Sequence, residues 1–137
     1  MTAATPIVLD SWPVLAYLQG EKPAQRVIDI IGDAHDRGAK LSISAINAGE
    51  VWYISAQRRG PDQADLALQV IQSLGIEIID VDWPITKIAA SYKAQGGISY
   101  ADCFAAALAK QSAATLVTGD HEFHRLEKDI TILWLKC

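Results

Sequence analysis

The feature that most constrains this chain is an alternation. Short β-rich apolar runs recur between longer stretches of helical periodicity. The short runs are "PIVLD" (6–10), "KLSISA" (40–45), "IEIIDV" (76–81), "TLVTGD" (115–120) and "ITILWL" (130–135). Between them lie helical patterns at 12–20, 22–38, 46–60, 61–75, 82–97 and 98–110, several opened by proline or closed by glycine. Strands separated by helices leave few architectures open, and the simplest is a parallel sheet with helices on both faces. The expected fold is therefore α/β, with a central parallel sheet of four to five strands. A length of 137 residues suits one domain, 1–137, with a modest core. Within the second helix, Val27, Ile28, Ile30, Ile31 and Ala34 are expected to face inward.

In such sheets, ligands bind outside the carboxyl ends of the strands, and carboxylates gather at that edge. Asp10 and Asp120 each follow an apolar run directly. Glu50 lies early in the helix leaving "KLSISA". Asp102 opens "ISYADCFAAALAK" (98–110), otherwise almost wholly apolar between Tyr100 and Ala109. The loop from that helix to the next strand is short, so the two run antiparallel. The start of the helix then lies beside Asp120. Two helices separate the third and fourth strands, and Gly96–Gly97 is expected to return the chain to the upper edge.

Each acid also has a plainer reading. Asp10 precedes Ser11 and Pro13 and could cap a helix. "SYAD" (99–102) matches a Ser-x-x-acid capping box. Asp120 could be a loop acid after Gly119. Glu50 has Ile46, Asn47, Tyr53 and Ile54 as its helical neighbours, which predicts a largely buried stripe, and Gly49 beside it predicts close backbone approach. Taken together the four acids point elsewhere. Two carboxylates about 5 Å apart repel by roughly 3 kcal/mol at an effective dielectric near 20. No lysine or arginine adjoins any of the four in sequence. A hard divalent cation such as Mg²⁺ resolves the repulsion, accepting one or two carboxylates and taking substrate phosphate oxygens as further ligands. The corresponding chemistry is phosphodiester hydrolysis.

"IVLDS", "SAINAGEV", "SYADCFAAALA" and "LVTGD" resemble, in order, the four acidic motifs of PIN-domain ribonucleases, and most closely the VapC-type toxins of bacterial toxin–antitoxin pairs. The resemblance runs from Ile7 to Trp134. It implies a PIN-like three-layer α/β/α fold and a Mg²⁺- or Mn²⁺-dependent endoribonuclease. It also implies a homodimer, and a cognate antitoxin whose C-terminal segment covers the active-site groove. Asp10, Glu50, Asp102 and Asp120 match the acidic, metal-holding positions. Ser11 and Thr118 match hydroxyl positions, and Asn47 matches a polar position one turn before Glu50. Two positions depart from the pattern: Trp12 stands where a small residue is usual, and His121 where proline is usual.

Arg58 and Arg59 could contact RNA phosphate, or could complement the helix dipole. His121 and His124 read as surface histidines, and Glu122 as a solvated loop acid that could serve as an auxiliary ligand. Trp12, Trp52, Trp83 and Trp134 read as core or dimer contacts. Cys103 and Cys137 form no metal or disulfide pattern. No apolar run reaches membrane-spanning length, and "MTAATPIVLD" has no basic n-region, so the expected location is cytoplasmic, with no membrane partner. A net charge of −4 argues against a sequence-independent nucleic-acid coat protein. Two alternative functions stay open. A receiver-like phosphate-responsive module would use Asp80 or Asp82 but lacks the lysine after its last strand. A catalytically inactive PIN-like binding module is disfavoured by the presence of all four acids. A haloacid-type phosphatase is excluded, because Trp12 occupies its second aspartate position.

Overall fold

A computed structural model describes residues 4–136, so Cys137 and the first three residues lie outside the description. Five strands form one sheet: β1 (Ile7–Leu9), β2 (Leu41–Ser44), β3 (Ile76–Ile79), β4 (Thr115–Thr118) and β5 (Thr131–Trp134). Their order is β3-β2-β1-β4-β5, and every neighbouring pair is parallel. The direction of winding reverses at β1, which places a ligand crevice at the carboxyl ends of β1 and β4.

Side chains alternate across the sheet, as the two-residue period of a strand requires. Val8 and Leu116 enter one core, while Ile7, Leu9 and Val117 enter the other. Helices α1 (Ser11–Leu18), α2 (Ala24–Arg37), α3 (Ala45–Arg59) and α4 (Pro61–Ser73) cover the second core. Helices α5 (Trp83–Gln95) and α6 (Tyr100–Ser112) build the first. Residues Asp102 to Ala109 of α6 are all buried. A helix apolar on every side has to sit inside, and its alanines allow close packing.

The two consecutive helices between β3 and β4 have a geometric explanation. α5 starts just beyond the end of β3. It ends at Gly96 and Gly97, whose φ values of 82° and 81° only glycine adopts without strain. The next turn brings the Ser99 amide against Glu122, which lies beyond the end of β4. Both ends of α5 thus stand at the carboxyl edge. It crosses that edge, and α6 alone makes the run back toward the start of β4.

Some expectations fail at the surface. Ile28 is 45 % exposed, and the buried stripe of α2 is Val27, Ile30, Ile31 and Ala34, at the helical spacing of one face. Trp83 and Trp52, read as core or dimer contacts, are 68 % and 37 % exposed, so neither belongs to the core of the single chain. Trp52 instead ties α3 to α4 through its indole N–H, which donates to Asp65 at 2.9 Å.

Candidate active site

Among the described residues, the buried polar or charged side chains are Asp10, Ser44, Asn47, Asp102 and Thr118. All five belong to the carboxyl ends of β1, β2 and β4 or to the first turns of α3 and α6. A chain with this much apolar material puts its buried polarity in one place, at a desolvation cost that stability alone does not require.

Asp10 combines two of the readings that its sequence context allowed. Its Oδ1 accepts from the Trp12 amide at 3.2 Å, which caps α1. Its Oδ2 accepts from the Thr118 hydroxyl at 2.8 Å. Thr118 Oγ1 in turn accepts from the Asp120 amide at 3.0 Å, so one hydroxyl joins the ends of β1 and β4. Burial is the main reason that Asp10 is pushed up to about 8. The Thr118 hydrogen bond opposes that shift, and the charges of Asp120 and Glu50 add to it.

Asp102 also has a dual environment. The Ser99 hydroxyl caps α6 by accepting from the Asp102 amide at 3.2 Å. The Asp102 carboxyl does not return the bond to the Ser99 amide; Glu122 Oε1 takes that amide at 3.0 Å. The Asp102 side chain faces Asp120 instead. Burial first, then hydrogen bonding to Asp120 and the charges of Asp120, Asp10 and Glu122, raise it to about 9. Ligand oxygens of Asp102, Asp120 and Glu122 lie within 4.8 Å of one another.

Glu50 enters from α3. Its Oε1 accepts from the Ser11 hydroxyl at 3.1 Å and from Asn47 Nδ2 at 3.2 Å. Asn47 is itself held by the Ser44 cap and reaches across to the Ala101 carbonyl at 3.1 Å, which fixes α3 against α6. The expected buried stripe is not there. Glu50 is half-buried, and Ile46 and Tyr53 are 37 % and 48 % exposed. Gly49 has open space around it, so close backbone approach does not account for that glycine.

The structure therefore brings Asp10, Glu50, Asp102 and Asp120 to one rim, with Ser11, Asn47 and Thr118 holding them. It also brings in Glu122, which sequence reasoning left as either a solvated loop acid or an auxiliary ligand. Its position two residues past Asp120, where a strand-end turn folds back on itself, was the available signal: the Glu122 amide donates to Asp120 Oδ1 at 2.9 Å. Arg58 and Arg59 are not at this rim. They lie two or more turns along α3 from Glu50, roughly 12 Å at 1.5 Å per residue, and line a groove of about 470 Å³ with Leu18, Leu66 and Val70. His121 and His124 are exposed and stack toward Trp134. The receiver reading loses its site, since Asp80 is exposed beyond edge strand β3, and Asp82 caps α5 by accepting from the Ile85 amide at 3.0 Å.

Trp12 and Gly119 explain each other. A Cβ at position 119 would meet the Trp12 indole at 2.5 Å. The bulky residue after Asp10 is accommodated because the residue before Asp120 has no side chain. Gly119→Ala should therefore push Trp12 off β4 and lower the melting temperature by several degrees, consistent with the roughly 1–3 kcal/mol cost of overpacking. Thermal denaturation checks this, and Gly119→Ala should cost far less when made in a Trp12→Ala background than in the parent.

The donor set is all hard oxygen. Among the described residues, the ion pairs are Arg37–Asp33 and His124–Glu127, neither of which neutralises an acid of the rim. Carboxylates this close, with two pushed far above their usual range, fit a hard divalent cation.

A family profile described as PIN domain matches residues 7–129. Ribonuclease 3 of Glaesserella parasuis is 41 % identical over 64 residues, a match covering 44 % of this chain and 29 % of that protein, so the chain spans less than a third of that relative. The DNA-bound VapBC structure from Salmonella typhimurium is similar with a TM-score of 0.73 at 18 % identity, over 95 % of this chain and 98 % of that one. VapC20 of Mycobacterium tuberculosis, described as a Sarcin-Ricin loop cleaving toxin, gives 0.67 at 15 % identity, over 87 % and 93 %. At these identities, the likeness to the solved structures is one of fold.

Proposed function

This chain belongs to the PIN-domain family, and from that premise we propose that it is a metal-dependent endoribonuclease, the toxin of a toxin–antitoxin pair, with residues 1–137 forming one PIN domain. The observation that carries the reading is the confinement of the buried polar side chains, among the described residues, to one acidic rim. The likeness in fold to VapBC and VapC structures supports it. Asp10, Glu50, Asp102 and Asp120 would hold Mg²⁺ or Mn²⁺. When bound, the ion supplies positive charge against the scissile phosphate and lowers the pKa of an attacking water.

The remaining roles follow from the hydrogen bonds. Trp12 N–H and Thr118 O–H point the two Asp10 oxygens and leave little rotational freedom. Thr118 also sets the Asp120 backbone, so one residue keeps two acids in register. Asn47 and Ser11 both donate to Glu50 Oε1, which leaves the other Glu50 oxygen free to face the cation. Arg58 and Arg59, at the far end of α3, would meet phosphates well away from the scissile one.

The partners are RNA, a cognate antitoxin covering the rim, and a second copy of the chain, with exposed Trp83 and Tyr100 available for contact. No helix of the described residues is long and apolar enough to cross a membrane, and the proposed location is the cytoplasm. The test is cleavage of single-stranded RNA by purified protein. Activity should need Mg²⁺ or Mn²⁺, stop in EDTA, and be lost in Asp10→Ala. Equal cleavage by that variant in EDTA would reject the mechanism. RNA binding without cleavage under all metal conditions would favour the inactive binding module.

A further inference from the structure

Helix α6 begins with a capping box whose second half comes from another part of the chain. In the usual box, the N-cap hydroxyl accepts from the N3 amide, and the N3 side chain reaches back to the N-cap amide. Here Ser99 is the N-cap and Asp102 is N3. The first bond is present, with the Asp102 amide donating to Ser99 Oγ at 3.2 Å. The second is made by Glu122 Oε1, which accepts from the Ser99 amide at 3.0 Å across 23 positions of chain. We propose that Glu122 is a positioning residue: by taking the Ser99 amide, it frees the Asp102 carboxyl from its own helix cap and points it at Asp120.

Three observations carry this. The Ser99 amide is one of the orphan donors that every helix start exposes, and it has to be satisfied by some acceptor. Asp102 is the local candidate for it, and its carboxyl turns elsewhere. Glu122 is in turn anchored to the other side of the gap, because its own amide donates to Asp120 Oδ1 at 2.9 Å. One side chain and its backbone therefore clamp both walls of the gap between Asp102 and Asp120. Phe123, fully buried beside it, fixes the backbone of this turn in the first core. The role rests on the metal-dependent reading of the rim, and the clamp itself is a matter of hydrogen bonds.

Two variants separate acceptor from charge. Glu122→Gln keeps an Oε1 acceptor for the Ser99 amide and removes the charge. Glu122→Ala removes both. Mn²⁺ affinity, measured by calorimetry, should stay within about 3-fold of the parent in Glu122→Gln and fall about 10-fold or more in Glu122→Ala, the range expected when the partner of a ligand is lost. The kcat for RNA cleavage should follow the same order, with KM for RNA unchanged. Hydrogen exchange at the Ser99 amide should remain slow in Glu122→Gln. In Glu122→Ala it should remain slow only while Asp102 is present, because Asp102 then swings back to the cap; the Glu122→Ala/Asp102→Ala double variant should exchange fast. Glu122→Gln as impaired in Mn²⁺ binding as Glu122→Ala would overturn the proposal and make Glu122 a ligand through its charge. Glu122→Ala with parental Mn²⁺ affinity would overturn it too. If the parent protein cleaves no RNA, the ribonuclease reading fails by itself, and Mn²⁺ binding with Ser99 exchange still decides the clamp.

Discussion

Replacing Asp102 with asparagine should abolish RNA cleavage while making the metal-free protein more stable. The two effects share one cause. Burial and the neighbouring Asp120, Asp10 and Glu122 charges hold the Asp102 carboxyl protonated up to about 9, whereas in the unfolded chain it ionises near 4. Folding at neutral pH therefore costs the free energy of returning that proton. Asparagine has nearly the same shape, carries no charge, and can donate an N–H to Asp120 as the protonated acid does. The backbone amide that completes the Ser99 cap is untouched. A gain on the order of 5 °C in melting temperature at pH 7 without metal is expected, from about 1–2 kcal/mol. An amide is a far poorer ligand for a hard cation, so cleavage should fall at least about 1000-fold, and added Mn²⁺ should stabilise the variant less than the parent. A variant that melts at or below the parent would mean that Asp102 serves mainly as a helix-start residue, and the electrostatic account of the rim would fail.

Much of this rim was legible because it depends on local order. A carboxylate directly after a buried strand has to emerge at the strand's carboxyl edge, which placed Asp10 and Asp120. Periodicity placed α6, and the short α6–β4 loop placed the start of that helix beside Asp120. Less was legible where the deciding contact joins distant segments. "SYAD" states a capping box, but whether Asp102 closes it depends on an acceptor 23 residues from Ser99. Trp12 broke the expected loop pattern, and only the packing against Gly119 shows how it fits. Three of the four helical neighbours of Glu50 were apolar by type, yet Ile46 and Tyr53 lie on the outer side of α3. Residue type alone does not say which apolar side chains of a helix are covered. The crossing of α5 over the sheet edge was legible only as a mismatch in helix count, with Gly96–Gly97 as its visible trace.

The melting temperature of the metal-free protein should fall as pH rises from 5 to 8. The sign follows from proton counting. Asp10 is pushed up to about 8 by burial in the folded state, with Asp102 higher still. Between the unfolded value near 4 and these folded values, the native state holds protons that the unfolded state has released. Stability then falls with pH, by up to about 1.4 kcal/mol per unit for each such proton. The full contribution is present below the unfolded pKa and is lost as pH climbs through the folded one. For a chain of this length, the drop should be on the order of 10 °C across three units. The comparison is internal to a variant series that leaves the rest of the chain unchanged. The Asp102→Asn variant should lose part of the slope, and Asp10→Asn with Asp102→Asn most of it. Saturating Mg²⁺ or Mn²⁺ should flatten or invert the parent's slope, because the cation binds the ionised carboxyls and takes over the proton's role. The rim would then be too negative to close at pH 8 without a counter-ion and closed at pH 5 without one. A parent slope that is flat without metal, or identical in the double variant, would place the buried acids in ordinary solvated surroundings and remove the physical case for a cation among them.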